Sequence, residues 1–196
     1  MEPLPDDIVR RIEAEMQVLI PAERIQRRVA ELAEEVQGGL GGERLVAVAA
    51  LSGAFMFFSD LVRLIRPTPL VDFVQLRSYG SATAPIGEVT LLRDVDHPLT
   101  DRHVLIVEDI LDTGHTAHFL IDLVRRCRPA AMSFVSLLDK SARRRVAVSA
   151  DHVGFEIEDR FVVGYGLDFA GHFRALPDIH VVPDWVAGLS WLGRRP

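Results

Sequence analysis

Cysteine, asparagine and lysine are the residue types that this sequence largely lacks. It has one cysteine, no asparagine, and a single lysine among its 22 basic residues. A lone Cys127 rules out an intramolecular disulfide and suits a reducing compartment. No apolar run approaches the roughly 20 residues of a membrane-spanning helix, and the start of the chain has no signal-peptide character. We therefore expect a cytoplasmic protein without a membrane partner.

An excess of basic charge is also missing. The net charge is −6 at pH 7, which argues against a nucleic-acid partner because nucleic-acid platforms usually carry a basic excess. The run ARRR at 142–145 is a local basic patch, and we interpret it as a solvated turn or helix face. The length of 196 residues and the hydrophobic content of 48% are ordinary for one globular domain.

The chain does contain a regular alternation of short apolar runs and helical patterns. Strands separated by helices predict βαβ units and a mostly parallel sheet. We expect a single domain, 1–196, with an α/β fold whose central sheet lies within about 40–150 and is flanked by helices. Segments of about 1–20 and 151–196 are expected to form a small lobe. The predicted strands are 16–20, 44–51, 70–79, 89–95, 103–110, 131–140 and 152–157, and the predicted helices are 21–37, 53–65 and 115–127.

The most informative segment is VLIVEDILDTGHT, residues 104–116, where a buried strand ends in the carboxylates Glu108, Asp109 and Asp112. Open parallel sheets bind ligands at the carboxyl ends of their strands. Residues 113–116 then offer backbone N–H groups at a helix N-terminus, where an anion is favoured. A phosphorylated ribose satisfies both features, because the N–H groups take its phosphate and the acids take its hydroxyls. Mg²⁺ would neutralise the remaining negative charge.

The same segment resembles the signature for 5-phosphoribosyl 1-pyrophosphate (PRPP) in type I phosphoribosyltransferases, and most of all in the hypoxanthine-guanine branch of that family. Other segments resemble further parts of the family in the same order. VLIPAERIQRRVAELAEEV resembles its N-terminal strand and helix, LSGAFMFFSDL its pyrophosphate loop, and LRSYG the start of its mobile loop. HVGFEIEDRFVVGYGLDFAGHFR resembles its purine-binding tail. The resemblance covers nearly the whole chain and implies the type I phosphoribosyltransferase fold.

This resemblance implies a PRPP site built from several parts of the chain. Glu108 and Asp109 would hold the ribose hydroxyls, directly or through Mg²⁺. Ser78 and Tyr79 would begin the mobile loop. The 5′-phosphate would be bound by Thr113, Gly114, His115 and Thr116, and the pyrophosphate by Leu51, Ser52, Gly53 and Arg174.

The resemblance also implies a purine site. Asp112 would lie beside purine N7 and act as the general acid/base, a role open to a carboxylate within hydrogen-bond reach of the proton. Lys140, the only lysine, would donate to the 6-oxo group of the base. Phe161 would stack on the base, and Val162 would read its edge through the backbone. Asp168 would belong to the purine site and be a ligand of a second Mg²⁺.

The implied reaction is the Mg²⁺-dependent transfer of 5-phosphoribosyl from PRPP to N9 of hypoxanthine or guanine, giving IMP or GMP and pyrophosphate in purine salvage. Two positions depart from the family pattern. Ser52 stands where Lys or Arg is usual, and His115 stands where Lys or a small polar residue is common. Both sites bind chiefly through backbone groups, so we expect the reaction to be retained and the affinity for PRPP to be weaker.

Other interpretations stay open at this point. A PRPP-sensing regulator that binds RNA uses the same fold, but it predicts a basic face and often lacks the purine tail. Among enzymes, Lys140 argues against adenine, since an ammonium cannot accept a hydrogen bond from the exocyclic amino group. A xanthine-preferring phosphoribosyltransferase stays open because a 6-oxo donor serves xanthine equally. The resemblance further implies a homo-oligomer, dimer or tetramer, with the helix within 51–65 as its interface.

Overall fold

The structure is a computed structural model that describes residues 4–39, 45–78 and 89–188. None of the helices in these ranges combines the length and the apolar character of a membrane span. The helices are α1 (Asp6–Glu15), α2 (Ala22–Gly39), α3 (Phe55–Leu64) and α4 (His115–Arg126), and the 3₁₀-helices are Ser141–Arg143 and Asp184–Gly188. The strands are β1 (Gln17–Ile20), β2 (Leu45–Leu51), β3 (Leu70–Ser78), β4 (Val89–Arg93), β5 (His103–Leu111), β6 (Ala131–Asp139), β7 (His152–Glu156), β8 (Val162–Val163) and β9 (Ile179–Val181).

The main sheet has six strands in the order β4-β3-β2-β5-β6-β7. β4 is antiparallel to β3, and the other neighbours are parallel. β2 reads LVAVAAL and its first six residues are buried, as a strand covered on both faces requires. One face of the sheet packs on α2 and α3, and the other packs on α4. The predicted α/β fold with a mostly parallel sheet is confirmed.

The order of the strands changes direction around β2. From β2 the chain moves to β3 on one side, and it later returns to β5 on the other side. Such a reversal leaves a crevice at the carboxyl ends of the two strands, where open α/β sheets bind ligands. β2 ends at Leu51 and β5 ends at Leu111. The segments that follow these two residues therefore meet at the crevice.

A second sheet forms the small lobe that was predicted from the two ends of the chain. Its strand order is β1-β9-β8, and both pairings are antiparallel. α1 packs on this lobe, where Ile12 joins an apolar cluster with Val163 and Phe173. β7 pairs with β6 in the main sheet. The C-terminal contribution to the lobe therefore begins after Glu156.

The helix α1 is an element that the sequence analysis did not predict. Its many charged residues and the prolines before it obscure the pattern. Ile8, Ile12 and Met16 nevertheless recur every four positions, as the buried stripe of a helix does. Ile12 is completely buried. A four-residue apolar spacing was therefore the signal for this helix.

Asp72 on β3 fixes the chain segment that follows β4. Its buried carboxylate accepts hydrogen bonds from the backbone N–H groups of Phe73 at 2.8 Å, Asp96 at 2.9 Å and His97 at 2.8 Å. The His97 ring nitrogen Nδ1 also lies 3.0 Å from Oδ2. Burial alone would raise the pKa of Asp72, but these hydrogen bonds hold the pKa below its ordinary value.

Replacing Asp72 by asparagine is expected to lower the free energy of unfolding by about 2 kcal/mol at pH 7, because the hydrogen bonds to a buried carboxylate lose their charge. The folded-state pKa lies below the unfolded-state pKa, so the contribution is present above about pH 4 and is lost as the pH falls through the folded-state pKa. Urea unfolding would measure the difference in the free energy of unfolding between the wild type and Asp72→Asn, and this difference should be smaller at pH 3 than at pH 7. Asp94→Asn is the control, since exposed Asp94 accepts one hydrogen bond, from Val95. Equal losses in both variants would contradict the prediction.

Candidate active site

A cavity of about 280 Å³ opens at the crevice beside β2 and β5. The main sheet and the segments that follow its strands supply one wall, and the small lobe supplies the other. The predicted site residues that line it are Gly53, Asp109, Asp112, Lys140, Phe161, Val162, Asp168 and Arg174, and three further residues, Ile110, Arg143 and Leu167, line it as well.

Gly53 lies where three chain segments come into close contact. A side chain at this position would place its Cβ 1.7 Å from Asp109 Oδ2. Only glycine therefore lets the segment after β2 pass the carboxylate. Gly166 of the lobe, with φ +102°, also packs here, because a Cβ on it would lie 2.1 Å from the Gly53 carbonyl oxygen. The Leu51–Ser52 peptide before Gly53 is cis.

Two hydrogen bonds tie the walls of the cavity together. Tyr165 of the lobe donates its hydroxyl to Asp60 Oδ2 on α3 at 2.7 Å. Burial raises the pKa of Tyr165, and the Asp60 carboxylate raises it further, so the hydroxyl stays a donor. Lys140, which follows β6, donates from Nζ to the Arg160 carbonyl oxygen at 2.6 Å. The lobe is therefore fixed to the main sheet on both sides of Phe161.

Glu108 and Asp109 are carboxyl groups that burial pushes toward the neutral form. Burial raises the pKa of Glu108 well above its ordinary value, and the charge of Asp109 adds to this effect. Burial also raises the pKa of Asp109, to about 6, although backbone N–H donors and Arg174 oppose the change. Glu108 Oε2 has no hydrogen-bond partner among the described residues. A bound cation would favour the ionised form of both groups, so the pair fits the predicted Mg²⁺.

The carboxylates do not complete a metal centre by themselves. No three His, Cys, Asp or Glu side chains within 4–39, 45–78 and 89–188 are grouped so that they could hold an ion. Mg²⁺ commonly keeps several waters and binds one or two carboxylates together with substrate phosphates. The residues present therefore fit an ion that is held jointly with a phosphorylated substrate.

The N-terminus of α4 has the features predicted for a phosphate cradle. Its N-cap residue, Gly114, has φ +92°, a left-handed conformation that favours glycine. No side chain of the described residues caps the helix, so its first N–H groups are left for a ligand. A Cβ at Gly114 would lie 2.8 Å from Val148 Cγ1, which packs against this turn. Thr113, His115 and Thr116 around it are half-buried.

Asp112 is held by two consecutive arginines. Arg144 donates to the carbonyl oxygens of Leu111, at 2.9 Å, and of Asp112. Arg143 places its Nε 3.2 Å from Asp112 Oδ1. The interpretation of 142–145 as a solvated face was therefore wrong for Arg144, whose side chain is mostly buried, whereas Arg143 lies in an exposed 3₁₀-helical turn and contacts Asp112 from there. The available signal was their position directly after β6, at the edge where parallel sheets bind ligands.

Lys140 is buried beside the same carboxylate, with 4% of its surface exposed. Burial lowers the pKa of Lys140, while the charges of Asp112 and Asp159 act in the opposite direction. An ammonium has three N–H groups, and in the described part of the chain one of them bonds to the Arg160 carbonyl. Two N–H groups are therefore left for an acceptor in the cavity.

Phe161 exposes 53% of its surface although it lines the cavity. Its ring packs edge-to-face on Phe169, with the ring centroids 5.5 Å apart and an interplanar angle of 81°. This contact orients the ring and leaves more than half of its surface for a planar ligand. Val162, the next residue, is buried and pairs with Val181 in the lobe sheet.

Asp168 and Arg174 form an ion pair at the cavity, with Arg174 Nη2 2.7 Å from Asp168 Oδ1. Asp168 Oδ2 accepts a hydrogen bond from the Gly171 N–H at 2.7 Å. Arg174 Nη1 donates to the Gly166 carbonyl oxygen at 2.6 Å. The guanidinium is therefore fixed in place, as an anion-binding group requires.

Residues 20–170 match the family model described as a phosphoribosyl transferase domain. The chain belongs to the phosphoribosyl transferase family. The hypoxanthine-guanine phosphoribosyltransferase of Aquifex aeolicus is 40% identical over 170 residues, which cover 86% of this chain and 96% of that protein. The hypoxanthine phosphoribosyltransferase of Escherichia coli is 39% identical over 166 residues, which cover 84% of this chain and 93% of that protein. The bifunctional protein TilS/HprT of Listeria innocua is 40% identical over 165 residues, and the match spans 26% of that longer protein.

Solved structures of the family have the same fold as this phosphoribosyltransferase. A hypoxanthine-guanine phosphoribosyltransferase of Bacillus anthracis has a TM-score of 0.81 at 44% identity, and the match covers 85% of this chain and 98% of that chain. A hypoxanthine phosphoribosyltransferase of Staphylococcus aureus has a TM-score of 0.84 at 35% identity, with 93% and 98% covered. These matches confirm the predicted type I fold and the enzyme class.

The remaining predicted site residues within the described ranges of this phosphoribosyltransferase do not line the cavity. The roles of all the predicted site residues, those that line the cavity included, stay predictions, and Tyr79 lies outside the described residues. Leu51 ends β2, exposed Ser52 follows it, Ser78 ends β3, Glu108 lies on β5, and Thr113, Gly114, His115 and Thr116 lie at the start of α4.

Proposed function

We propose that this chain transfers the 5-phosphoribosyl group of PRPP to N9 of hypoxanthine or guanine, giving IMP or GMP and pyrophosphate in purine salvage. The observation that carries the proposal is the position of Lys140. Its buried ammonium, with two N–H groups left for a ligand, lies in one cavity with Asp112 and the exposed ring of Phe161. The named activities of the relatives support the same substrates.

A 6-oxopurine suits this cavity. Its 6-oxo group accepts a hydrogen bond from Lys140, and its planar ring offers a face to Phe161. Val162 would meet the edge of the base through its backbone. Adenine carries an amino group at the 6-position, and an ammonium cannot accept a hydrogen bond from it. Xanthine has the same 6-oxo group, so it is the second candidate base.

Asp112 would receive the proton that the purine loses. As N9 attacks C1′, the bond from C1′ to the pyrophosphate oxygen breaks and its electron pair leaves with pyrophosphate, while N7 gives its proton to the carboxylate. Arg174 stabilises the departing negative charge. The oxocarbenium-like ribose would also react with water, so the site must close. The loop that begins at Ser78 and Tyr79 is the predicted lid.

PRPP would be held along the crevice. Glu108 and Asp109 take the ribose hydroxyls, the α4 N-terminus takes the 5′-phosphate, and the segment 51–53 takes pyrophosphate through its backbone. We assign Mg²⁺ to Glu108 and Asp109, and a second ion to Asp168; bound Mg²⁺ would neutralise phosphate charge. Calorimetric titration of the protein with PRPP, once in the presence of Mg²⁺ and once in the presence of a chelator, tests this assignment. Equal binding of PRPP under the two conditions would refute it.

A homo-oligomer, dimer or tetramer, is part of the proposal. A related Trypanosoma cruzi hypoxanthine phosphoribosyl transferase has been studied for the role of its C-terminal region in oligomeric state and enzymatic activity. The predicted interface helix α3 buries Phe57, Phe58 and Leu61 inside the chain, and it exposes 46% of Leu64. Light scattering after size exclusion would measure the oligomer, and a monomer would refute it. The single-domain organisation and the cytoplasmic location stay predictions from the sequence.

The reaction is tested by mixing purified protein with Mg²⁺, PRPP and one of four bases, and by following nucleotide formation through absorbance. Hypoxanthine and guanine are expected to react, and adenine is not. Turnover of xanthine alone would change the substrate assigned to the enzyme and leave the proposed mechanism unchanged. Absence of turnover with all four bases, together with retained PRPP binding, would refute the proposed transferase activity and favour the RNA-binding regulator.

Lys140→Met is expected to lower kcat/KM for hypoxanthine by about 10- to 100-fold, because the charged donor to the 6-oxo group is lost. Arg125→Met on α4 is the control, since 64% of the Arg125 side chain is exposed and it does not line the cavity. The control should keep kcat/KM within about twofold. Circular dichroism confirms that both variants are folded. An unchanged kcat/KM in folded Lys140→Met would contradict the assignment.

A further inference from the structure

Arg143 is the charged residue of the cavity wall to which the sequence assigned no role. It ends the 3₁₀-helix Ser141–Arg143, directly after Lys140. Its Nε lies 3.2 Å from Asp112 Oδ1, and its Nη1 lies 3.4 Å from Asp159 Oδ1. The guanidinium therefore bridges the carboxylate proposed to receive the proton and an acidic residue of the segment that leads into the lobe.

The two oxygens of the Asp112 carboxylate have different surroundings, so they cannot both accept the proton of the base. Oδ1 is shielded from solvent and makes no hydrogen bond of normal geometry in the described ranges, although 35% of the side chain is exposed. An enclosed carboxylate oxygen without a partner is unfavourable. Among the described residues, the Arg143 guanidinium is the cation in ion-pair contact with this oxygen. A small rotation of Arg143 would convert this ion pair into a hydrogen bond and fix the carboxylate.

Arg143 and Arg144 divide the task of holding Asp112. Arg144 donates to the backbone carbonyl of Asp112 and fixes where the residue lies. Arg143 faces the carboxylate and would fix how it is turned. Arginine suits this position because its planar group presents Nε and Nη1 to two acceptors at once, whereas lysine has a single ammonium.

We propose that Arg143 is a positioning residue that holds Oδ1 of Asp112 and thereby turns Oδ2 toward the N7 proton of the bound purine. This inference rests on the proposed function and deepens it. The reaction is the one given above: the N9–C1′ bond forms, the C1′–pyrophosphate bond breaks, and the N7 proton passes to Oδ2. In this proposal Arg143 acts through Asp112 and not on the base or the sugar, so its effect should depend on the presence of the Asp112 carboxylate.

The test is a double-mutant cycle with Arg143→Gln and Asp112→Asn, assayed with radiolabelled hypoxanthine at saturating Mg²⁺ over a range of PRPP and hypoxanthine concentrations. Because the pair is half exposed, Arg143→Gln is expected to lower kcat about fivefold and to leave KM for PRPP within about twofold. In the Asp112→Asn background the same change should alter kcat by less than about twofold. Arg143→Lys, which keeps the charge, should recover part of the loss.

Arg145→Gln is the matched control, because Arg145 belongs to the same basic run, is exposed and does not line the cavity. It should retain kcat, and thermal unfolding should show that every variant is folded. Equal losses from Arg143→Gln in both backgrounds would overturn the proposal in favour of a purely structural role. A change confined to KM for hypoxanthine would overturn it in favour of direct contact with the base. The activity of the wild type and the effect of Asp112→Asn alone test the proposed function, and these results do not depend on the role of Arg143.

Discussion

Asp112→Asn is expected to lower kcat for phosphoribosyl transfer to hypoxanthine by about 10³-fold, the size of effect that the loss of a general acid/base produces. Asparagine has nearly the same shape as aspartate but cannot accept the N7 proton. The backbone position should be unchanged, because Arg144 holds the carbonyl oxygen of residue 112 and not its side chain. KM for PRPP should therefore stay within a few-fold of the wild-type value.

Steady-state assays over a range of PRPP and hypoxanthine concentrations would measure both constants for Asp112→Asn. Asp122→Asn is the matched control, since Asp122 is a partly exposed residue of α4 that pairs with Arg125 and does not line the cavity. The control should keep kcat within about twofold. A kcat for Asp112→Asn within tenfold of the wild type would show that another group takes the proton.

Gly166→Ala should lower the free energy of unfolding by about 3 kcal/mol and raise KM for PRPP. The added Cβ would lie 2.1 Å from the carbonyl oxygen of Gly53, and that oxygen belongs to a backbone that cannot move without disturbing Asp109. The left-handed φ of +102° adds further strain for any residue with a side chain. Relief of the contact would displace the segment 51–53, which is proposed to bind pyrophosphate.

Gly171→Ala separates the steric contact from the backbone strain in this comparison. Gly171 also has a left-handed φ, +84°, but a Cβ on it would meet no atom within 4 Å. Its replacement should cost only about 1–2 kcal/mol and leave KM for PRPP unchanged. Urea unfolding and PRPP titration of both variants give the comparison. If the two alanine variants are equally stable, the contact between Gly166 and Gly53 has no energetic consequence.

The central motif of the site could be predicted from the sequence because its parts are contiguous. In residues 104–116 a buried strand, three carboxylates and a helix N-terminus follow one another, and each has a local signature. Lys140 could be singled out because it is the only lysine, and the structure places it in the cavity with Asp112. Local patterns were enough where the chemistry depends on neighbours in the chain.

The pairing of Arg143 with Asp112 could not be predicted in the same way. The two residues lie on different connections of the sheet, and an arginine run by itself is typical of a solvated surface. Their contact depends on the parallel pairing of β5 with β6, which brings the ends of both strands to one edge. The close approach of Gly53, Asp109 and Gly166 is non-local for the same reason. Such contacts follow from the topology and have no short-range signal.

The division of the cavity between two structural units has a consequence for how substrate choice can change. The groups proposed for the sugar, its phosphate and the proton transfer lie on β5, on the segment that follows it and at the start of α4, whereas Phe161, Val162 and Leu167 come from the lobe. The hydrogen bonds from Tyr165 to Asp60 and from Lys140 to Arg160 join the two units. Substitutions in the lobe can therefore alter the shape offered to the base while the reacting carboxylate keeps its place. Redesign of this enzyme for a modified purine would begin at Phe161, Val162 and Leu167 and leave β5 intact.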